Sequence, residues 1–358
     1  MRRAAVAAAG LSLAVALTSC ATGTGSSSAT PDANKPVHLS ISLVSASLAF
    51  AAETQAGAEQ AAKDLNVKLD VTGPPLIDPP VAISQVENSL NTGVDGIGIG
   101  DEPAALWTRT LQDAMDKTNG NVVTFVAVPA AGSPAKTYVG IESKLYGVQL
   151  ATETVKESGI STSTTGDVIV GQCFAGSDPL TNTSNAAIAT LKKLLPSANV
   201  LPVFDSKLAP ADNFAAWSQE IAANPNTVLT IGTCDQDGDS MAKAKAAAGG
   251  SFAIGTVQTS PAVLAGIASG AVAVALPQNY YVQGYTVVRL LAEAVRNGTN
   301  PPAGWIDPGV TVVTKANVAD LVKRDSGAAG QAAFYAPLVT STWADLSAIT
   351  KPMAKAQG

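Results

Sequence analysis

Histidine, aromatic residues and charged residues are all scarce in this chain of 358 residues. The 22 lysines and arginines are spread thinly and outnumbered by 28 acidic residues, which excludes the dense basic patch typical of nucleic-acid binding. The single histidine, His38, is accompanied by no nucleophile–base arrangement, zinc-ligand spacing or glycine-rich phosphate loop. We therefore expect neither an enzyme nor a protein that holds a metal or another cofactor. Aromatic residues make up only 5%, so alanine, valine, isoleucine and leucine must fill most of the core.

The first twenty residues have the features of an export signal. Arg2 and Arg3 precede an apolar stretch over residues 4–16, which is too short for a comfortable membrane span. Residues 17–20, LTSC, resemble a bacterial lipobox, in which signal cleavage leaves the cysteine first, with lipid on its sulfur and amine. The sequence thus predicts a signal peptide over 1–19 and lipid attachment at Cys20. The alternative is an ordinary secretory signal with a chance cysteine.

The residues that follow Cys20 fit the lipid interpretation. Residues 20–36 are rich in glycine, serine and threonine and have no apolar period, which predicts a flexible tether. Such a tether would hold a folded body clear of a membrane to which acyl chains attach it. We expect the protein at the extracytoplasmic face of the cell membrane, in the periplasm or the cell-wall space.

Two cysteines remain besides Cys20, and an oxidising compartment allows them to pair. Cys173 follows the apolar run DVIVGQ, and Cys234 follows TVLTIGT. If the two runs are neighbouring parallel strands, both sulfurs lie at the same edge of a sheet. The sequence leaves two possibilities open, a disulfide or two buried free thiols, because the distance between the Cα atoms is not known.

From His38 onward, short apolar runs alternate with longer helical patterns. Within each run, the residues that would face either side of a sheet are apolar, as in buried parallel strands. Repeated strand–helix–strand units predict doubly wound sheets of the α/β class. The pattern pauses at TYVGIES (137–143) and then repeats, which predicts two halves. Ligands of such sheets bind at the carboxyl ends of the strands, so two facing halves would form a closing cleft. The runs include GIGIG, NVVTFVAV, NVLPVF, TVLTIG and AVAVAL.

Six stretches, in this order along the chain, carry a family resemblance: LAFAAETQAGAEQAAKDLNV, QVENSLNTGVDGIGIG, TYVGIES, IAANPNTVLTIGTCDQDGDSMAKA, IASGAVAVALPQNYYVQGYTVVRLL and GVTVVTKANV. In order and spacing they resemble type I periplasmic substrate-binding proteins, specifically the ribose/galactose-like group that serves ABC importers. The resemblance covers about residues 37–322, most of the chain after the tether. It implies two doubly wound parallel-sheet lobes that are joined by a hinge of three crossings.

The resemblance also implies a discontinuous division of the chain. The first lobe would take 37–138 and 281–303, and the second lobe 139–280 and 304–325. Residues 326–358 extend past the usual end of the family, and we expect them to form a C-terminal extension that packs on the surface.

Ligand-binding residues are predicted in two ways, from positions that match the family's binding site and from their location in the predicted loops. Phe50 matches an aromatic that stacks on a sugar ring in the family; the alternative is that it packs on the helix that it begins. Gln278 and Asp235 match an amide and an aspartate of the family site. Further candidates by position in the loops are Phe174, Asp178, Asn182 and Gln258.

Several positions depart from the family pattern. The family often has Asp-Arg where this chain has Val126-Ala127, and Phe-Asp where it has Thr256-Val257. An expected asparagine is Leu48, and an expected arginine near GSDPLTNTSN is absent. Charged side chains with bidentate hydrogen bonds hold neutral sugars. A site with fewer of them should prefer a ligand with fewer hydroxyls and more apolar surface.

Three aspartates alternate in TCDQDGDSMA, directly after an apolar run. A calcium loop would need glycine at its sixth position and glutamate at its twelfth, where Ser240 and Ala246 stand, so we expect no metal here. Asp235 should point into the cleft or brace the hinge. Asp237 and Asp239 should cap the next helix and favour its positive N-terminal end.

These observations predict a monomeric, lipid-anchored solute-binding protein that closes on a small molecule and delivers it to an ABC permease. The family makes a sugar the expected ligand class, and the departures favour something less polar. The alternative is a sensor that presents its ligand to a membrane receptor and transports nothing. A transcriptional regulator with the same core would need a helix-turn-helix before residue 40, where a signal and a tether stand instead.

Overall fold

The computed structural model describes residues 36–357. The predicted signal peptide over 1–19, the lipid attachment at Cys20 and all but the last residue of the predicted tether lie outside the described residues. In the part of the chain that is described, no helix has both the length and the apolar character needed to cross a bilayer.

The first lobe is built on a seven-stranded sheet in which all strands are parallel except the edge strand at Thr350–Lys351, which is antiparallel to its neighbour. The strand order is β13-β12-β5-β4-β3-β1-β2. The strand GIGIG is buried at every position, as its apolar character on both alternations predicts. The strands are β1 (His38–Ser42), β2 (Lys68–Thr72), β3 (Gly96–Gly100), β4 (Val122–Phe125), β5 (Thr137–Val139), β12 (Gly304–Ile306) and β13 (Thr350–Lys351).

Helices cover both faces of the first sheet, as in doubly wound folds. One face packs against α1 (Ala49–Asp64), α9 (Tyr280–Asn297) and α11 (Ala328–Ala344), and the other against α2 (Pro79–Asn91) and α3 (Thr108–Lys117). Short helical segments also lie at Ala104–Leu106, Leu346–Ile349 (α12) and Met353–Lys355.

The second lobe is built on a six-stranded sheet, all parallel, in the order β11-β10-β9-β6-β7, with β8 also pairing with β6. Because β6 and β9 are neighbours, the residues that follow them meet at one edge of the sheet. The strands are β6 (Asp167–Gln172), β7 (Asn199–Val200), β8 (Phe204–Asp205), β9 (Thr227–Gly232), β10 (Ala253–Thr256) and β11 (Val274–Ala275).

Helices again cover both faces of this sheet. One apolar core lies under α4 (Ser143–Ser158) and α5 (Asp178–Leu194). A second core lies under α6 (Pro210–Ala223), α7 (Asp237–Ala248), α8 (Pro261–Ser269) and α10 (Val318–Arg324). Helices α4 and α9 end at the left-handed glycines Gly159 and Gly298, the residue type that adopts this conformation most readily.

The chain passes between the two lobes after β5, after β11 and after β12, and once more after α10, where the C-terminal segment returns to the first lobe. The third passage differs in place from the sequence expectation, which assigned 304–325 to the second lobe. Residues Gly304–Ile306 pair with β5 in the first sheet, and only afterwards do Val310 and Val313 bridge to Gln278 and Ala275.

The C-terminal segment 326–358 returns to the first lobe and adds to its core. Tyr335 and Val339 of α11 are buried there, and β13 pairs with β12. The segment therefore contributes buried side chains and a strand, whereas the sequence suggested surface packing alone.

Candidate functional site

The carboxyl ends of both sheets face a shared cavity of about 80 Å³. A buried water needs roughly 10–15 Å³ of such space, so the cavity has room for roughly five to eight waters or one small molecule. The lining comes from residues that directly follow strands: Glu102 after β3, Val126 after β4, Phe174 after β6, Asp235 after β9 and Val257 after β10. The cavity thus lies where ligands of doubly wound sheets bind.

Asp235 connects the two lobes across this cavity. Its Oδ2 accepts a hydrogen bond of 3.2 Å from the backbone N–H of Phe50, in the first turn of α1. The residue before α1 is Leu48, whose side chain cannot accept, so the helix N-terminus takes its side-chain acceptor from the other lobe. The predicted role of Asp235, in the cleft or at the hinge, fits this position.

Burial raises the pKa of Asp235 to about 6. The backbone N–H groups of Phe50 and Ala49 act against this rise, and the nearby Asp237 adds to it. No basic side chain contributes, so the carboxylate has neutral donors but no opposite charge beside it.

Glu102 is a second acid on the cavity, and it was not among the residues predicted from the sequence. Its side chain is only 7% exposed, and burial raises its pKa, while a hydrogen bond with Ser177 of the second lobe lowers it. The signal was present, because GIGIGDE places acids directly after the buried strand β3, at the end where ligands bind.

Four aromatic side chains surround the same space. The rings of Phe50 and Tyr280 are tilted against each other with centroids 5.2 Å apart, and Tyr146 and Phe174 lie on the wall of the second lobe. Burial raises the pKa of the Tyr146 and Tyr280 hydroxyls well above the ordinary value. Both tyrosines are therefore neutral at ordinary pH.

Gln278 lies on the cavity at the second passage between the lobes. Its Oε1 accepts a hydrogen bond of 3.3 Å from Nε2 of Gln283. The structure therefore brings together four of the predicted residues, Phe50, Phe174, Asp235 and Gln278.

The other three predicted residues lie away from this cavity. Asp178 and Asn182 line a separate depression, together with residues 127–131 and the C-terminal Gln357. Gln258 is 3% exposed, and its Oε1 accepts a hydrogen bond from the N–H of Thr259, so the side chain folds back onto its own backbone.

Cys173 and Cys234 are bonded, which decides between the two possibilities that the sequence left open. Their Cα atoms are 6.1 Å apart, and both residues line the cavity at the ends of β6 and β9. The bond fixes two loops of the second lobe beside Asp235.

Asp237 lies in the first turn of α7 and is fully buried. Its carboxylate accepts hydrogen bonds from Asn213, from the indole N–H of Trp217 and from the backbone N–H of Cys234. Asp239 accepts a hydrogen bond from Ser260. These two aspartates thus hold the loop and the helix behind the cavity, and only Asp235 reaches it.

Known structures of the same fold include several sugar-binding proteins. GanP, a glucose-galactose binding protein from Geobacillus stearothermophilus, aligns with a TM-score of 0.69 at 19% identity, over 79% of this chain and 99% of that one. A carbohydrate transporter solute binding protein from Agrobacterium radiobacter, in complex with D-arabinose, aligns with a TM-score of 0.71 at 20% identity, over 81% and 98%. The arabinose binding protein AraP from Geobacillus stearothermophilus aligns with a TM-score of 0.65 at 23% identity, over 79% and 98%.

A search of the curated proteins found no match. The family model described as a periplasmic binding protein domain matches residues 39–299. This range includes the second sheet, the first sheet apart from His38, β12 and β13, and every residue of the cavity named above. The chain therefore belongs to the periplasmic binding protein domain family, whose members are extracytoplasmic solute-binding proteins and not enzymes.

Proposed function

We propose that this protein is a lipid-anchored, extracytoplasmic solute-binding protein of an ABC importer that closes its two lobes on a small sugar or sugar-like molecule. One observation carries the proposal: the cavity takes its lining from both lobes, and Asp235 of one lobe accepts a hydrogen bond from α1 of the other. A contact of this kind exists only while the lobes are together.

Closure follows from binding by a shift of populations. A ligand in the cavity touches both lobes only when they are closed, so its binding free energy favours the closed form. The segments that pass between the lobes are where the backbone can absorb the rotation of the lobes. An importer's permease would then receive the closed, loaded form.

The ligand class is supported by structural relatives and by the lining. Two similar structures are a glucose-galactose binding protein and an arabinose binding protein, which makes a sugar-like molecule the natural starting point. The walls include Leu48, Val126 and Val257 at positions where the family often has polar side chains. A cavity with this mixture favours a compact ligand with fewer hydroxyls than a hexose.

The anchor and the transport role are supported by the sequence. LTSC at 17–20 resembles a lipobox, and the residues after it have the composition of a tether. A folded body on a tether fits delivery of a solute to a membrane permease.

Binding and closure can be tested on the protein without residues 1–36. We expect a thermal-shift panel of sugars, polyols, nucleosides and small aromatics to identify a stabilising ligand. Gln278→Ala and Asp235→Ala should each weaken the binding of that ligand about tenfold or more in titration calorimetry. Both variants remove a polar group from the cavity wall.

Gln112→Ala, on an exposed face of α3, is the control and should bind as the unaltered protein does. Small-angle scattering should show a smaller radius of gyration with ligand than without it. Unchanged affinity in both cavity variants would place the ligand elsewhere and refute the proposal.

A further inference from the structure

The charges on the cavity wall are unbalanced. Among the described residues that line it, Glu102 and Asp235 carry the only ionisable acids, and no lysine, arginine or histidine is present. Glu102 is 7% exposed and stands on the first lobe, while Asp235 stands on the second. The cavity wall therefore carries two carboxyl groups without an opposite charge.

The neutral groups nearby position these carboxyls but do not neutralise them. Asp235 accepts from the N–H of Phe50, and Glu102 has the hydroxyl of Ser177 beside it. The hydroxyl of Tyr146 donates to the carbonyl of Leu276, so its proton is not available to either acid. The amide of Gln236 likewise donates to the carbonyl of Leu208.

Aromatic rings complete the environment. Phe50 and Tyr280 form a pair with centroids 5.2 Å apart at the cavity, and Tyr146 and Phe174 lie opposite. The face of an aromatic ring carries negative potential and attracts an ammonium group, most strongly where water is excluded. The aromatic rings and the carboxylates of this cavity thus both favour a positively charged ligand.

We propose that the ligand of this cavity is a small organic cation, with a protonated amine or a quaternary ammonium group held between Glu102, Asp235 and the rings of Phe50 and Tyr280. The inference rests on the proposed function and names the substrate class of the same site. The amide nitrogen of Gln278, whose oxygen already accepts from Gln283, is free to donate to a hydroxyl of the same molecule. An amino alcohol or an amino sugar meets both requirements.

Matched pairs of probes test the charge directly. Choline and 3,3-dimethylbutan-1-ol have nearly the same shape, and only choline is charged; D-glucosamine and D-glucose form a second pair. We expect the cation of at least one pair to bind about tenfold or more tighter than its neutral partner near pH 7 in titration calorimetry. Equal binding within both pairs, tighter binding of the neutral member, or binding of no member overturns the inference.

Variants locate the charge on the named residues. Glu102→Gln keeps the shape of the side chain and should weaken cation binding about tenfold while leaving the binding of the neutral partner nearly unchanged. Glu87→Gln makes the same chemical change on the exposed face of α2 and should alter neither. A loss of affinity for both partners alike would mean that Glu102 shapes the cavity rather than attracting charge, and would overturn its assigned role.

The pH dependence gives a second measurement that needs no variant. The pKa of Asp235 is raised to about 6, and the titratable groups that face it are Asp237, Tyr146, Tyr280 and, across the cavity, Glu102, none of them cationic. Choline affinity should fall about tenfold from pH 7.5 to pH 5 as the carboxyl takes up its proton. A flat profile contradicts the inference.

The two proposals can fail separately. Neutral sugars or polyols that bind and close the lobes would leave the proposed function standing and overturn only the choice of a cation. Absence of lobe closure with every compound of the wider panel would count against the proposed function itself.

Discussion

The ionised carboxyl group of Asp235 lowers the folding stability of the ligand-free protein. This group is partly buried between the lobes, where it meets backbone N–H groups and the acid Asp237 but no basic side chain. Burial therefore raises its pKa from 3.8 to about 6. A buried carboxyl group with a raised pKa lowers stability, which indicates a role in ligand binding.

The raised pKa of Asp235 predicts how the unfolding free energy depends on pH. Between pH 3.8 and pH 6 the folded protein holds the proton of Asp235 more tightly than the unfolded chain does, so this group's contribution to stability falls as the pH rises. Asp235→Asn has no such penalty. Its unfolding free energy, relative to that of the unaltered protein, should rise from pH 4 to pH 7 by at most about 3 kcal/mol.

Urea denaturation of the ligand-free proteins at both pH values provides the measurement. Glu87→Gln, which removes an exposed negative charge, serves as the control for net charge. A difference between Asp235→Asn and the unaltered protein that stays constant with pH would show that the carboxyl is not buried as described.

Side-chain direction limited what could be predicted for single residues. Phe50, Asp235 and Gln278 came from matched family positions, and the structure brings them together with Phe174. Asp178 and Asn182 are four apart on α5 and share one helix face, which looks onto the separate depression, while Leu180 and Thr183 face the cavity. Asp178 and Asn182 are predicted from the sequence to lie in a loop, whereas both lie on α5, whose first residue is Asp178. Where this helix starts decides which of its faces points into the cavity.

At the scale of elements, α1 and α9 approach each other through two glycines. A Cβ atom at Gly284 would lie 2.0 Å from the carbonyl oxygen of Thr54, and one at Gly57 would lie 1.9 Å from that of Tyr281. Neither distance leaves room for a methyl group. This contact fixes the position of α1, whose first turn carries Phe50 to the cavity.

Gly284→Ala should therefore separate the two helices. Overpacking of this kind costs about 1–3 kcal/mol, which should appear as a lower unfolding free energy in urea. Gly176→Ala is the control, because a Cβ there would meet its nearest neighbour, a ring atom of Phe174, at an ordinary 3.6 Å. Equal stability of the two variants would be inconsistent with the close helix contact.

Alternation along the chain predicted the elements well, and proline explains one difference. The run NVLPVF, taken as one strand, is divided into β7 at Asn199–Val200 and β8 at Phe204–Asp205. Pro202 lies between them and cannot donate to a strand ladder. AVAVAL forms only the short strand Val274–Ala275. The order and the type of the elements could be predicted from the periodicity of apolar residues. The ends of the strands could not, because they depend on which strands pair.

At the scale of the whole molecule, the C-terminal segment ties the lobes together. The hydroxyl of Tyr335 donates to Glu53 of α1 and accepts a hydrogen bond of 3.2 Å from Arg324. Arg324 also donates to Thr259 of the second lobe at 2.7 Å, and the ring of Tyr335 stacks on Tyr281 at 4.8 Å. One buried network thus joins α1, the second lobe and the segment beyond the family match.

Tyr335→Phe keeps the stacked ring but leaves Glu53 and Arg324 without their shared partner. Because both are buried, we expect the unfolding free energy to fall by about 1–3 kcal/mol. Tyr285→Phe, which removes a hydroxyl bonded to Asp64 within the first lobe, is the matched control and should cost less. If the two substitutions cost the same, the network does not join the lobes in the way described.

The bond between Cys173 and Cys234 makes the cavity dependent on where the chain matures. In a reducing cytosol the same polypeptide would carry two thiols on that wall, and the loops after β6 and β9 would lose their covalent tie. Protein made without oxidation then differs in its cavity wall from protein in which the bond has formed. A ligand screen on such material would return a misleading answer, so production should include an oxidising step before any affinity is measured.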